Sequence, residues 1–176
     1  MTAEQIITDI LKREGWPTVT DRAADRGGLS KGPIRHQTLR EWRHPRPVSR
    51  QDLIDMEEPE ARDILRTTYA KPYDWIHYEP LRVLCIDLAV TSWHDDVAKA
   101  LQEASGAAVD GVLGVKTKTA VLKCSPVTLH LGVWKYRQKK FLREAFDAEV
   151  LQFLKDNPST QLHNLRGWLN RNLELL

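Results

Sequence analysis

The segment Leu81–Trp93 has the sequence LRVLCIDLAVTSW. Its apolar side chains occupy most positions instead of one face. A helix that is apolar around its whole circumference is typical of a protein core. The pattern therefore predicts a central buried helix over these residues.

The segments around this helix also favour helices. Ala3–Glu14 carries isoleucines and a leucine at the i, i+3 and i+4 spacing of one apolar stripe, and Gly15 ends it. Sustained alternation of apolar and polar residues is absent, so we predict a mainly α fold with a small β-hairpin in the glycine-rich stretch 16–33. The further predicted helices are Thr38–Trp42, one capped by Ser49 with Asp52, Pro59–Tyr69, Val97–Ala104 capped by Asp95 or Asp96, Val115–Leu122, Ser125 to about Lys155, and Leu162–Leu173.

The composition excludes several classes of protein. The chain has 176 residues, of which 41% are hydrophobic and 28% charged, and its formal net charge is +2. No apolar run is long enough to span a membrane, and so balanced a charge does not favour nucleic-acid binding. Cys85 and Cys124 both lie in apolar surroundings, so we expect two buried, reduced thiols and no disulfide scaffold.

Glu14 is the most informative single residue. It lies four residues after Ile10, so it continues the apolar stripe of the first helix. Burial raises the pKa of a carboxyl, and a general acid for glycosidic cleavage needs a carboxyl that is protonated. The alternative is that the helix frays and Glu14 faces water, pairing with Arg13 or Arg22.

The loop after Glu14 carries a second set of polar groups. Asp25 precedes Gly27-Gly28 and Ser30, and glycines allow a close backbone approach to a ligand. A carboxylate and a hydroxyl opposite a protonated acid could hold a water molecule, as in inverting glycosidases. Asp25 could instead form a turn with its own backbone, and Asp21 is a second candidate for the base.

Several segments, in their order and spacing, resemble the glycoside hydrolase family 108 muramidases of phages and bacteria. The resemblance covers about residues 4 to 172, and Glu14 matches the catalytic glutamate of that family. Trp16, Pro33, Arg35 and Trp93 depart from the family pattern. The matching segments are Glu14-Gly15, Asp25-Arg26-Gly27-Gly28-Leu29-Ser30, Tyr69–Tyr73, Leu84–Trp93, Leu101–Gly106, Val109–Gly114 with Thr117, and Leu165–Arg171.

The resemblance implies a lysozyme-like helical fold. Residues 1–92 would form the catalytic region, and residues 93–176 a peptidoglycan-binding helical region packed on it. The implied reaction is hydrolysis of the β-1,4 bond between N-acetylmuramic acid and N-acetylglucosamine in bacterial peptidoglycan, with Glu14 as general acid and no metal or cofactor. Catalytic roles are expected for Glu14, Asp25 and Ser30, and contacts with the glycan for Trp16, Asp21, Gly27, Gly28 and Tyr73.

The expected setting follows from the same comparison and from the N-terminus. Residues 1–5 lack the features of a secretory signal, so we expect synthesis in the host cytoplasm and release to the cell wall through a holin or a secretion system. We expect a monomer that neither inserts stably into membranes nor binds nucleic acid. Two alternatives are a catalytically inactive peptidoglycan-binding or secretion-assisting relative, and a small DNA-binding regulator that uses the basic run 35–50.

Overall fold

The computed structural model describes residues 1–21 and 28–146, with the side chains of residues 142–146 left aside. The chain divides into two compact units, Met1–Thr91 and Ser92–Leu176. The described part is mainly helical and holds a small three-stranded antiparallel sheet, which confirms the predicted fold class. Among these residues, no helix is both long and apolar enough to cross a membrane.

The first unit follows the predicted pattern closely, with helix ends that move by at most two residues. The predicted helix from Pro59 to Tyr69 is divided into an α-helix and a π-helical segment. Its elements are α1 (Ala3–Arg13), β1 (Val19–Thr20), β2 (Ser30–Lys31), β3 (Ile34–Arg35), α2 (His36–Trp42), α3 (Arg50–Ile54), α4 (Glu58–Ile64), a π-helix (Leu65–Ala70), a 3-10 turn (Lys71–Tyr73) and α5 (Glu79–Thr91).

The described part of the second unit consists of α6 (His94–Ser105), α7 (Val115–Leu122) and α8 (Pro126–Phe146). The bounds of α7 are those predicted. The predicted extension of α8 to about Lys155 and the predicted segment Leu162–Leu173 lie outside the described residues.

Helix α1 has well-formed ends and a buried face. Thr2 is the N-cap, and its side chain and that of Gln5 complete a capping box. The apolar stripe is buried, as its spacing predicts, with Ile7 fully covered. Helix α5 forms the predicted buried segment, and its interior includes Leu84, Cys85 and Leu88 at 0% exposure.

The small sheet has the strand order β1-β2-β3. Thr20 lies opposite Ser30, and Ser30 lies opposite Arg35. Gly32 and Pro33 form the two-residue connection between β2 and β3. Gly32 has φ +53°, and the first central position of a type II′ hairpin turn favours glycine for this reason.

The loop between α6 and α7 is organised by the buried amide of Gln102. Its Nε2 donates to Asp110 Oδ1 at 2.6 Å and to the Val112 carbonyl at 3.0 Å. Its Oε1 accepts from the backbone N–H groups of Asp110 and Gly111. Asp110 Oδ1 also accepts from the Val112 N–H at 2.8 Å, so the residue closes a turn with its own backbone.

Two local predictions need correction. The N-cap of α6 is Trp93, whose side chain makes no capping bond, so the prediction of an Asp95 or Asp96 cap was wrong. Both aspartates lie in the first turn of the helix, where the positive end of the helix dipole stabilises them. Cys124 is half-buried, unlike the fully buried Cys85, and both thiols are free.

Helices α6 and α8 approach closely at Gly132. A Cβ atom at this position would lie 2.5 Å from the Cβ of Ala104. We expect Gly132→Ala to lower the free energy of unfolding by about 1–2 kcal/mol, because the overpacking exceeds the gain of ~1 kcal/mol in helix propensity. Chemical denaturation measures the change. Lys135→Ala, at an exposed position on the same helix α8, is the control, and a comparable loss in both variants would contradict the close approach.

Candidate active site

Glu14 lies at the C-cap of α1, where the helix closes with a Schellman motif. The Gly15 N–H donates to the Lys12 carbonyl, and the Trp16 N–H donates to the Leu11 carbonyl at 2.9 Å. Gly15 has φ +70°, a left-handed conformation that glycine adopts without steric cost. Glu14 is half-buried, so the carboxyl lies at the rim of the apolar stripe and not deep beneath it.

The turn after Glu14 joins α1 to the sheet. The Thr18 N–H donates to the Gly15 carbonyl at 2.8 Å, and the Trp16–Pro17 peptide bond within this turn is cis. The Gly32 N–H then donates to the Thr18 carbonyl at 2.9 Å. A Cβ atom on Gly32 would lie 3.2 Å from the Trp16 ring, so the hairpin turn packs directly on the indole.

Lys31 also lies against the Trp16 indole. Its Nζ lies 5.2 Å from the centre of the Trp16 ring and donates to the carbonyls of Ile54 and Met56 at 2.6 and 2.7 Å. The sheet is thereby tied to the end of α3. Trp16 was predicted to contact the glycan, and here it also forms the packing contact between the end of α1 and the hairpin.

A row of polar side chains crosses the sheet. Directly opposed residues of an antiparallel pair share a face, so the register places Thr20, Ser30 and Arg35 on one face. The hydroxyls of Thr20 and Ser30 are 2.7 Å apart. Lys31 and Ile34 belong to the opposite face, where Ile34 is fully buried. Ser30 therefore presents its hydroxyl on the face that does not pack into the core.

Arg35 lies at the end of this row. Its Nη2 donates to the Thr91 carbonyl at 3.5 Å, at the last residue of α5. Its charge also lowers the pKa of Tyr69, whose burial raises that pKa more strongly. Tyr69 lies on the π-helix, and its hydroxyl is 3.3 Å from that of Thr38.

The sequence offers Asp21 and Asp25 as the second catalytic carboxylate, and only Asp21 lies within the described residues. Asp21 is exposed and forms an ion pair with Arg50. Asp25 and Gly27 lie outside the described residues, as does Arg22. Gly28 is exposed and has φ +64°, a left-handed conformation that glycine adopts readily.

Tyr73 was predicted to contact the glycan and does not fit that role. Its side chain is fully buried at 0% exposure, and this burial raises its pKa. It ends the 3-10 turn with its ring in the core of the first unit, so its place in the segment Tyr69–Tyr73 is structural.

Asp87 is a residue that the sequence did not single out. It is 3% exposed on α5, and its Oδ1 lies 3.0 Å from Nη1 of Arg13 in the last turn of α1. Arg13, one of the two partners considered for Glu14, is thus directed to α5. A charged residue within the most apolar segment of the chain was the available signal for this contact.

The basic run 35–50 is substantially neutralised. Arg43 lies 2.6 Å from Glu60 and 2.9 Å from Asp52, and Arg46 lies 3.0 Å from Asp52. These carboxylates raise the pKa of Arg43, and hydrogen bonds from Ser49 lower that of Asp52. Arginines that are already paired with carboxylates are poorly suited to a row of phosphate contacts, which disfavours the DNA-binding alternative.

The mainly helical architecture with a small three-stranded antiparallel sheet is consistent with a lysozyme-like fold. The family model described as Glycosyl hydrolase 108 matches residues 7–92, which contain Glu14, Ser30 and Asp87. This match supports a glycosidase, and in general terms a lysozyme-like peptidoglycan hydrolase. No curated protein matches the sequence.

The structure of Brucella abortus SagA is similar to that of this chain. The TM-score is 0.72, with 21% sequence identity, over 98% of this chain and 94% of the SagA chain. At this identity the likeness establishes the fold.

The contacts of Lys31 give a direct test of how the hairpin is held. We expect Lys31→Met to lower the free energy of unfolding by about 2–3 kcal/mol, because two charge-assisted hydrogen bonds are lost and two carbonyls lose their donor. Urea denaturation measures the loss. Lys12→Met, at an exposed position on α1, should change stability by less than about 0.5 kcal/mol. Equal effects in both variants would show that Lys31 does not secure the sheet.

Proposed function

We propose that this protein is an N-acetylmuramidase that cleaves the β-1,4 bond between N-acetylmuramic acid and N-acetylglucosamine in bacterial peptidoglycan. The observation that carries the proposal is the position of Glu14, half-buried at the closed end of α1 and within the segment that matches Glycosyl hydrolase 108. The hairpin supports this, because its turn residue Gly32 packs on Trp16, two residues after Glu14, and the same hairpin carries Ser30.

In the proposed reaction, Glu14 donates its proton to the glycosidic oxygen as the bond to the sugar carbon breaks. A water molecule attacks that carbon from the opposite side, and a base accepts the proton of the water. We assign the base to Asp25 and a water-orienting hydrogen bond to Ser30. The ion pair of Asp21 with Arg50 favours Asp25, because Asp21 is already engaged with a cation.

We further propose that the protein acts as a monomer on the cell wall, after release through a holin or a secretion system. The region 93–176 would add affinity for peptidoglycan. Trp16, Gly27 and Gly28, all in the segment that follows Glu14, would contact the glycan.

Glu14→Gln tests the acid directly. The amide keeps the shape of the side chain but cannot donate the proton, so we expect the release of reducing ends from purified peptidoglycan to fall at least ~100-fold. Asp9→Asn, an exposed carboxylate on the same helix, is the matched control and should retain activity. Full activity of Glu14→Gln would remove Glu14 from the mechanism.

The same assay separates the enzyme from an inactive relative. A wild-type protein that sediments with peptidoglycan but releases no reducing ends would favour the binding-only alternative. Mass spectrometry of the products identifies the bond, since a muramidase leaves N-acetylmuramic acid at the new reducing end.

The assignment of the base is tested by a pair of variants. We expect Asp25→Asn to reduce kcat by at least ~100-fold, because the attacking water loses its proton acceptor. Asp21→Asn should keep most of the activity, because it removes only an exposed ion pair. The reverse result, measured as initial rates on the same peptidoglycan, would assign the base to Asp21.

A further inference from the structure

The ion pair between Arg13 and Asp87 is formed by the residue that immediately precedes the proposed acid in α1. Arg13 immediately precedes Glu14, and its guanidinium lies 3.0 Å from the Asp87 carboxylate. The side chains are 23% and 4% exposed, so the pair is only weakly screened by solvent. A carboxylate this deeply buried is costly unless a cation accompanies it, so the two charges hold each other in place.

The position of this pair gives it an electrostatic consequence for Glu14. A cation close to a carboxyl favours the ionised form, and a general acid must be protonated to act. Asp87 cancels the charge of Arg13, so the last turn of α1 presents a nearly neutral pair to Glu14. The same contact anchors that turn to α5, the buried helix of the first unit.

We propose that Asp87 is a positioning residue for the catalytic acid, which compensates the charge of Arg13 and thereby lets Glu14 remain protonated in the working pH range. This inference rests on the proposed function, because it assumes that Glu14 is the acid. It assigns to α5 a role in the reaction beyond filling the core.

Other charged groups on α1 and on the elements around it have separate partners or face solvent. Lys12 is exposed on α1, Lys31 is bonded to backbone carbonyls of α3 and its end, and Arg35 contacts the end of α5. Among the described residues, those charged groups, in addition to Arg13 and Asp87, are Glu4 and Asp9 on α1, Glu58, Glu60, Arg62 and Asp63 on α4, Arg66 on the π-helix, Lys71 on the 3-10 turn, Glu79 and Arg82 on α5, and Asp21 beside the hairpin.

The experiment measures the pH dependence of kcat/KM on purified peptidoglycan for three variants. Asp87→Asn leaves a net positive charge near Glu14, so the alkaline limb should move to lower pH by about 0.5 unit, the Coulomb effect of one charge at roughly 10 Å in a partly solvated site. Arg13→Met leaves a net negative charge and should move that limb to higher pH by a similar amount. The double variant should return the limb close to its wild-type position.

Opposite shifts that cancel in the double variant would support the proposal, because a purely structural ion pair lowers the rate without moving the limb in two directions. Limbs that coincide in all folded variants would overturn it. Thermal melts establish which variants are folded. If Asp87→Asn does not fold, the comparison of Arg13→Met with the double variant still tests the proposal. Glu60→Gln, which neutralises one partner of the Arg43–Glu60 pair, is the control and should leave the limb unmoved.

Failure of the proposed function gives a different result. In that case the wild type releases no reducing ends, or Glu14→Gln remains active, whatever the Asp87 variants do. An active wild type with an inactive Glu14→Gln and unshifted limbs would retain the muramidase and reject only the role of Asp87.

Discussion

Two backbone hydrogen bonds at the end of α1, from Gly15 to Lys12 and from Trp16 to Leu11, set the direction in which the chain leaves the helix. The left-handed conformation of Gly15 makes this closure possible. Because the buried stripe of α1 fixes the helix on the core, the closed end fixes the backbone of Glu14 as well. The turn of the hairpin then packs on Trp16, and this contact joins the small sheet to the end of α1.

The charges of the first unit are arranged in pairs that join separate elements. Arg13 and Asp87 join α1 to α5, and Arg43 joins α2 to α4 through Glu60. Lys31 uses backbone carbonyls instead of a carboxylate for the same purpose. A chain with a nearly balanced composition can therefore be strongly organised by charge, because the opposite charges are placed as neighbours in space.

The features that depend on neighbouring residues were predicted from the sequence. The stripe of α1, the bounds of α7 and the Ser49 cap all arise from short-range patterns. The features that were missed depend on contacts between distant segments, as with the Arg13–Asp87 pair or the carbonyls that Lys31 reaches. Tyr73 was misplaced for this reason, since its sequence does not show that the core closes over it.

The amide of Gln102 has a consequence for how the second unit tolerates change. One buried side chain supplies the donors and the acceptor that shape the loop between α6 and α7, while Val109 and Val112 in that loop are 54% and 62% exposed. The conformation of the loop is therefore determined by the buried side chain of Gln102 on α6. Its outward side chains are free to diverge among related sequences at little cost to the fold, as long as the glutamine stays.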